Sequence, residues 1–577
     1  MIDLKTHLEH RVAAALGDLD PAQRDALSLM PPKNREHGDI ALGCFQLAKL
    51  RKAAPPQVAA ELAAAFEPDD LIESAEAAGP FVNFRYRRAA LAQSIVESVL
   101  RDAAPFGRAA ATDTSIVIDF SSPNIAKPFH MGHLRSTVIG AALCRIHRHL
   151  GATVHGVNHL GDWGMPFAKM MTAYMKWGER DKLDANPMRY MFDLYVRYGK
   201  AAKEDPSLDE EAAQHFKALE SGEENAEREM WRFLRDESLK AFQGPYDRLG
   251  VTFDHVTGES FYEDKMQPVL ERYEKAGVLV ESDGADVVDL KEFGIKVPCI
   301  LRKSDGTTLY HTRDLAAVFY REQEFDPTRI LYVVGAEQKL HFQQLVAVLE
   351  KIGDPIAKRV EHVPFGLILA LNEETGKWEK FASRGGNAIF LDEVLDEAVA
   401  GVRKIIAEKN PDLADADRVA EKVGVGAIVF NDLKNGRVKD VKFDWSAMLA
   451  FEGETGPYVQ YAGARLASIL RKSDAPEDPD ALLEGVDWKL LEDAAPVLLT
   501  MQEFGPAVVR AAKESEPSVI TNLMLRIAGE IHSYLREHHV LRAEPELRNA
   551  RLALVAAAKR VLATGLGLIG VAAVDEM

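Results

Sequence analysis

The chain has 577 residues, 47% of them hydrophobic and 28% charged, and a formal net charge of −19. That length implies about three to four domains, the composition is that of a soluble globular protein, and no apolar run reaches the roughly 18–20 residues that cross a bilayer. The negative total argues against loose, charge-driven binding of nucleic acid, which needs local cations, yet leaves room for RNA held on a local basic track. The opening MIDLKTHLEHRVAAALGDLD is amphipathic and carries acids, without the basic, apolar and small-residue succession of a signal peptide, so a cytosolic protein is expected. Cys44, Cys144 and Cys299 stand far apart with no CxxC or CxxH pair, which supports neither a disulfide framework nor a structural zinc site; reduced core thiols are expected.

Residues 1–110 read as a small α/β domain. An amphipathic first helix is followed by a loop at Pro31-Pro32-Lys33, a second helix entered through HGDIALGCFQLAKL, a third from Pro56 through Phe66, and an alternating strand from Pro80 to Tyr86. Phe81 and Asn83 point to one face of that strand. They either stack on and hydrogen-bond an unpaired base or belong to an ordinary strand lying over helices. Residues 103–114 read as a linker.

The second region, 113–395, opens on an apolar strand, Ile116 to Phe120, that breaks into SSPNIAKPFHMGH and then a helix from His130 to Leu150. Pro123 and Pro128 forbid continued strand pairing. A helix that starts just beyond a buried strand aims its unpaired N–H groups and positive dipole end into the crevice where α/β folds bind phosphates. His130 and His133 lie there, three residues apart, and Gly132 between them leaves room for a flat group to approach the backbone. Alone, the pair reads either as a phosphate-binding turn or as two surface histidines among 17.

A second strand, Thr153 to Val157, ends in NHLGDWG, so two strand ends open on one rim of a parallel sheet. Residues of about 168–250 turn helical and charge-rich, an insertion or an enlarged crossover. Strand-like sequence resumes at Val251–Asp254, Ala285–Leu290 and Val297–Leu301, and a turn at Asp305-Gly306 leads to a helix that places Tyr310 and Asp314 on one face. Ile330–Val334 then reads as a buried strand, with Gly335 as its turn and Glu337-Gln338 opening the next helix. The basic, glycine-rich 377–387 loop suits either mobile phosphate contact or a solvated turn. Beyond residue 391 the pattern is almost wholly helical. The expected fold is therefore multidomain α/β: a Rossmann-type parallel-sheet domain with a helical insertion, a small N-terminal α/β domain and an all-α C-terminal bundle over 396–577.

Ser122 to His133, SPNIAKPFHMGH, resembles the extended HIGH signature of class I aminoacyl-tRNA synthetases in the form used by arginyl-tRNA synthetases. The same family's segments recur as LGDWG at 160–164, DGTTLYHTRD at 305–314, GAEQ at 335–338, KFASRGGN at 380–387, FDWSAMLAFEGETGPYVQYAGAR at 443–465 and the C-terminal helix ending in Met577, and HGD at 37–39 and GPFVNF at 79–84 resemble the family's added tRNA-contacting domain, so the resemblance spans essentially the whole chain and implies that the C-terminal helices form the stem-contact and anticodon-reading bundle. It implies ligation of L-arginine to tRNA(Arg) through an arginyl-adenylate, with transfer to the terminal adenosine 2′-OH. ATP with Mg²⁺ on the nucleotide is implied as the substrate complex, with no structural metal, no DNA or membrane partner, a monomer, and a need for bound tRNA before arginine is activated. The implied arginine-binding residues are Asn124, Glu259, Tyr310, Asp314 and Gln338. A planar five-donor cation is well read by carboxylates and an aromatic wall. ATP-binding is implied for Gly132, His130, His133, Lys380, Gly385 and Gly386, and tRNA-binding for Phe81, Asn83, Tyr458, Tyr461 and Arg465.

Two departures stand out. In the KMSKS-type loop the first lysine is Lys380 but Ser383 holds the second lysine's place, which leaves Lys127 or Arg384 as the replacing cation. Gly463 stands where the family often has His, leaving one tRNA-side contact unassigned. Two rival readings are a different ligase or nucleotidyltransferase of the HIGH superfamily and a catalytically silent tRNA-binding paralogue. The residues at 259, 310 and 314 speak against the first, and the intact Asn124, His130, His133 and Gln338 against the second.

Overall fold

Five parallel strands organise the middle of the chain: β1 (Ser115–Asp119), β2 (Thr153–Asn158), β3 (His255–Val256), β4 (Arg329–Gly335) and β5 (Val360–Phe365), in the spatial order β5-β4-β1-β2-β3. The computed structural model from which this is read describes residues 4–577 except 18–26, 28, 33, 103–104, 126–128, 222, 305, 309, 373–374 and 381–389. Successive side chains of a strand face opposite ways, and here both faces are apolar. Ile116, Ile118, Leu331 and Val333 join one core, Val117, Ile330 and Tyr332 the other. Helix α1 (Met131–His149) covers the first face; α2 (Tyr310–Phe325) and α3 (Lys339–Lys351) cover the second. α1 lies so close to the sheet that a Cβ at Gly140 would sit 2.2 Å from Phe120.

The strand order reverses between β4 and β1, so their carboxyl ends flank the crevice where open α/β sheets bind ligands. Among the described residues, five helices stand between β2 and β3, from Met165–Trp177 to Ala226–Leu249. The expected strand at Val251–Asp254 is not one. Phe253 packs on Phe120 at 4.7 Å and the Asp254 carboxylate accepts from Gly156 N at 2.7 Å, so ladder pairing begins only at His255. An antiparallel sheet of Leu279–Ser282, Ala285–Val288 and Cys299–Arg302 precedes α2.

The N-terminal region is an antiparallel sheet (Leu29–Met30, Ile40–Gly43, Phe81–Tyr86, Ile72–Ala78) with helices packed on it. Its last helix, Arg88–Arg101, rests on the C-terminal bundle, where Arg560 donates to the Leu100 carbonyl at 2.9 Å. The chain after 396 is helical except for Val441–Phe443, which returns to pair in parallel with Ile368–Leu371. Among the described residues no helix is long and apolar enough to cross a membrane.

Candidate active site

The crevice begins with backbone strain. Ser121 and Ser122, just past β1, have φ of 70° and 46°, in the left-handed region that non-glycine residues avoid. Hydrogen bonds over-determine the turn. Ser121 N donates to Ser136 Oγ at 2.9 Å, Ser121 Oγ bonds Thr137 and Tyr246, Ser122 N donates to Asn158 Oδ1, and Ser122 Oγ donates to Asp119 Oδ1 at 2.9 Å. The chain is thereby turned across the end of the sheet toward Asn124.

At the head of α1 the two histidines cap the helix. His130 Nδ1 accepts from Gly132 N at 2.9 Å, and His133 Nδ1 accepts from His130 N at 3.2 Å, a reciprocal capping box built from imidazoles. With Nδ1 accepting in each ring, the proton of the neutral imidazole belongs on Nε2, so both rings are donors at that atom. The space over Gly132 is filled by the His130 ring itself, since a Cβ there would lie 2.6 Å from His130 Cε1. Glycine at 132 thus admits the cap.

A cleft of about 650 Å³ opens between these turns. Asn124, Gly132, His133, Glu259, Tyr310, Asp314 and Gln338 all line it, so the five residues assigned to arginine, drawn from segments spread over more than 200 positions of the chain, meet in one place. His130 is half-buried beside it. Lys380 stands at the rim, 3.3 Å from Oε1 of the cleft residue Glu337. Lys127, Arg384, Gly385 and Gly386 lie outside the described residues.

Two carboxylates of the cleft carry contrasting charge states. Burial pushes the Glu259 carboxyl up to about 7; Arg313, 3.7 Å away, pulls it down, while Asp314 and Asp162 push it up. Burial acts on Asp314 in the same direction, but its 2.6 Å bond to His341 Nε2 and the charges of nearby imidazoles hold its carboxyl below the usual range. His341, Tyr310 and His311 form a cluster of tilted rings, with His341 5.4 Å from Tyr310 and 4.5 Å from His311, and burial, then His341, drives His311 down to about 4. Two further lining residues meet the fully buried Arg321: Asp119 pairs with it at 2.7 Å, and its guanidinium lies over the Tyr332 ring at 5.2 Å. Among the described residues no group of three or more His, Cys, Asp or Glu is placed to hold a metal ion.

The residues assigned to tRNA lie elsewhere. Tyr458, Tyr461 and Arg465 share the helix Gly456–Ser473; Tyr461 is 44% exposed and stacks on His532 at 5.7 Å, Tyr458 packs on the same ring, and Arg465 donates to the Leu535 carbonyl at 3.2 Å. Phe81 and Asn83 do share a face, but the backbone at Gly38 covers Asn83 and leaves it 6% exposed. This removes Asn83 from the outer surface; Phe81 stays half-exposed, edge-on to Phe45 at 5.5 Å. Sequence reasoning passed over His341, legible as the same-face neighbour three residues beyond Gln338, and over Asp162, His159 and His532.

Comparison with known proteins accounts for this arrangement. Three family models match in sequence: the arginyl tRNA synthetase N-terminal domain over residues 6–86, the class I (R) tRNA synthetase catalytic domain over 95–445, and the DALR anticodon binding domain over 459–577. The chain belongs to the arginyl-tRNA synthetases. An arginine–tRNA ligase of an Exiguobacterium species is 47% identical over 95% of both chains, and that of Clostridioides difficile is 40% identical over the whole of each. Arginyl-tRNA synthetase of Thermus thermophilus has the same fold across the full length of both chains, with a TM-score of 0.83 at 27% identity. The catalytic model of this arginyl-tRNA synthetase family runs to residue 445 and so takes in the strand Val441–Phe443 that closes on Ile368–Leu371.

Proposed function

We propose that this chain activates L-arginine with ATP and transfers it to the 2′-OH of the terminal adenosine of tRNA(Arg). The observation that carries the reading is that two carboxylates, Glu259 and Asp314, line one cleft together with Tyr310, Asn124, Gln338 and the capped head of α1. In the first step an oxygen of the arginine carboxylate attacks the α-phosphorus of ATP and the bond to pyrophosphate breaks. In the second the ribose 2′-oxygen attacks the activated carbonyl, AMP leaves, and the hydroxyl proton is released.

Glu259, Asp314 and Tyr310 hold the guanidinium, while Asn124 and Gln338 orient the α-amino and carboxylate groups, so most of the rate comes from positioning and charge stabilisation. His130 and His133 donate from Nε2 to phosphate oxygens beside the helix dipole, with Gly132 between them. Lys380 exchanges Glu337 for phosphate, helped by the 384–386 loop. Mg²⁺ travels on the nucleotide, where it neutralises phosphate charge. Lys127 supplies the cation missing at Ser383; Lys127→Ala slows adenylate formation far more than it weakens arginine affinity, and near-normal pyrophosphate exchange in that variant removes Lys127 from the mechanism. Phe81, Tyr458, Tyr461 and Arg465 face tRNA, which is required before activation, and the enzyme acts as a cytosolic monomer. Rejection of lysine follows from carboxylates left imperfectly paired, on the order of 10⁴-fold, without an editing site. ATP–pyrophosphate exchange with each amino acid, with and without tRNA, tests the reading: exchange with arginine and tRNA is expected, and exchange with lysine instead overturns it.

A further inference from the structure

The Leu160-Gly161-Asp162 segment, just past β2, ties together two turns of the cleft, that of Asn124 and that of Glu259. At the first, Gly161 N donates to the Pro123 carbonyl at 3.1 Å and the Gly161 carbonyl accepts from Ile125 N at 3.2 Å, bracketing Asn124. At the other, Glu259 N donates to the Leu160 carbonyl at 2.9 Å, and the Asp162 carboxylate takes the next residue twice, from Ser260 N at 2.9 Å on Oδ1 and from Ser260 Oγ at 2.6 Å on Oδ2. A Cβ at Gly258 would lie 2.5 Å from that carboxylate, so only glycine lets the turn close over it. Asp162 is 2% exposed, and among the described residues no ion pair reaches it. From the helical insertion, Trp231 Nε1 donates to the Asp162 carbonyl at 2.8 Å.

A buried carboxylate is expensive unless its oxygens are fully used, and these two face two donors. We infer that Asp162 is a positioning residue for amino-acid recognition: it clasps the Gly258–Ser260 turn from beneath and aims Glu259 into the cleft. Asp162 touches neither substrate nor reacting atoms. The inference rests on the reading of Glu259 as a guanidinium partner. It also gives the insertion a route to the cleft, through Trp231, Asp162 and Ser260 to Glu259.

The test measures arginine KM, ATP KM and kcat in tRNA-dependent pyrophosphate exchange for the wild type, Glu259→Gln, Asp162→Ala, Asp162→Asn and the Asp162→Ala/Glu259→Gln double variant. Asp162→Ala is expected to raise arginine KM by about 10–100-fold with ATP KM changed less than about twofold, the size of one lost charged contact. Asp162→Asn keeps an acceptor for Ser260 N and is expected to recover part of that. The double variant is expected to be no worse than Glu259→Gln, because one residue acts through the other. Arginine KM unchanged in Asp162→Ala, effects that multiply in the double variant, or arginine and ATP KM rising together would each overturn the inference. Should Glu259→Gln leave arginine KM alone, the guanidinium reading falls and this inference with it; a damaged Glu259→Gln beside a normal Asp162→Ala sinks the positioning role only. If Asp162→Ala does not fold, Ser260→Ala takes its place, with a smaller rise in arginine KM expected and no rise contradicting.

Discussion

At neutral pH Glu259 should be about half protonated in the empty cleft and charged once arginine arrives. Its carboxyl is raised from 4.5 to about 7, burial being the main cause, with Arg313 opposing and Asp314 and Asp162 adding. An incoming guanidinium favours the carboxylate, so binding releases a proton. Apparent affinity then follows the charged fraction, and arginine should bind about tenfold more weakly at pH 6 than at pH 8. Stability runs the other way. The folded chain holds the proton that the unfolded chain gives up, so stability falls as pH rises from about 4.5 to 7, by roughly 3 kcal/mol at about 1.36 kcal/mol per unit. The Glu259 side chain keeps 26% of its surface open, and solvent screening brings that nearer 2 kcal/mol. Glu259→Gln should therefore bind arginine weakly but without this slope, while the empty protein gains up to about 2 kcal/mol at pH 8. Calorimetric titration of arginine at pH 6, 7 and 8 in buffers of different ionisation enthalpy reads the proton directly, and urea melts read the stability. A pH-independent affinity in the wild type, or the same slope in Glu259→Gln, would refute the reasoning.

Other consequences are equally concrete. Gly161→Ala puts a Cβ 2.0 Å from Asn124 Oδ1, the end of a movable side chain, so arginine KM should rise about tenfold or more while the melting temperature moves little; a normal KM would remove Asn124 from the amino-acid end. Arg321→Met leaves the buried Asp119 carboxylate without its cation and should destabilise by about 3–5 kcal/mol in urea titration, most of it recovered by adding Asp119→Asn; equal stability of both variants would contradict this. Tyr461→Ala removes one exposed stacking surface and should lower kcat/KM for tRNA by roughly 5–150-fold, the equivalent of about 1–3 kcal/mol, with arginine affinity in the same assay unchanged.

The crossover from β1 to α1 was readable because hydrophobic period, two prolines and a helix start coincide within 20 residues. Local spacing pairs Tyr310 with Asp314 on one face of α2, but joining them to Asn124, Glu259 and Gln338, which come from other segments of the chain, took the family resemblance. Asp162 was invisible as a positioning group because its partner, Ser260, is 98 residues away. In the sequence His130 and His133 read as ligand donors and not as a cap, since imidazoles rarely fill that role and the i, i+3 spacing serves both. Strand alternation correctly put Phe81 and Asn83 on one face; that Gly38 then covers only Asn83 depends on a neighbouring segment no periodicity reports.

The central claim is tested most directly by charging purified tRNA(Arg) with radiolabelled arginine in the presence of ATP and Mg²⁺. The account predicts arginyl-tRNA linked to the terminal ribose, with none formed from lysine and a severe loss in Asp314→Ala. A chain that binds the tRNA yet never charges it, or charges it equally well without the Asp314 carboxylate, would contradict it.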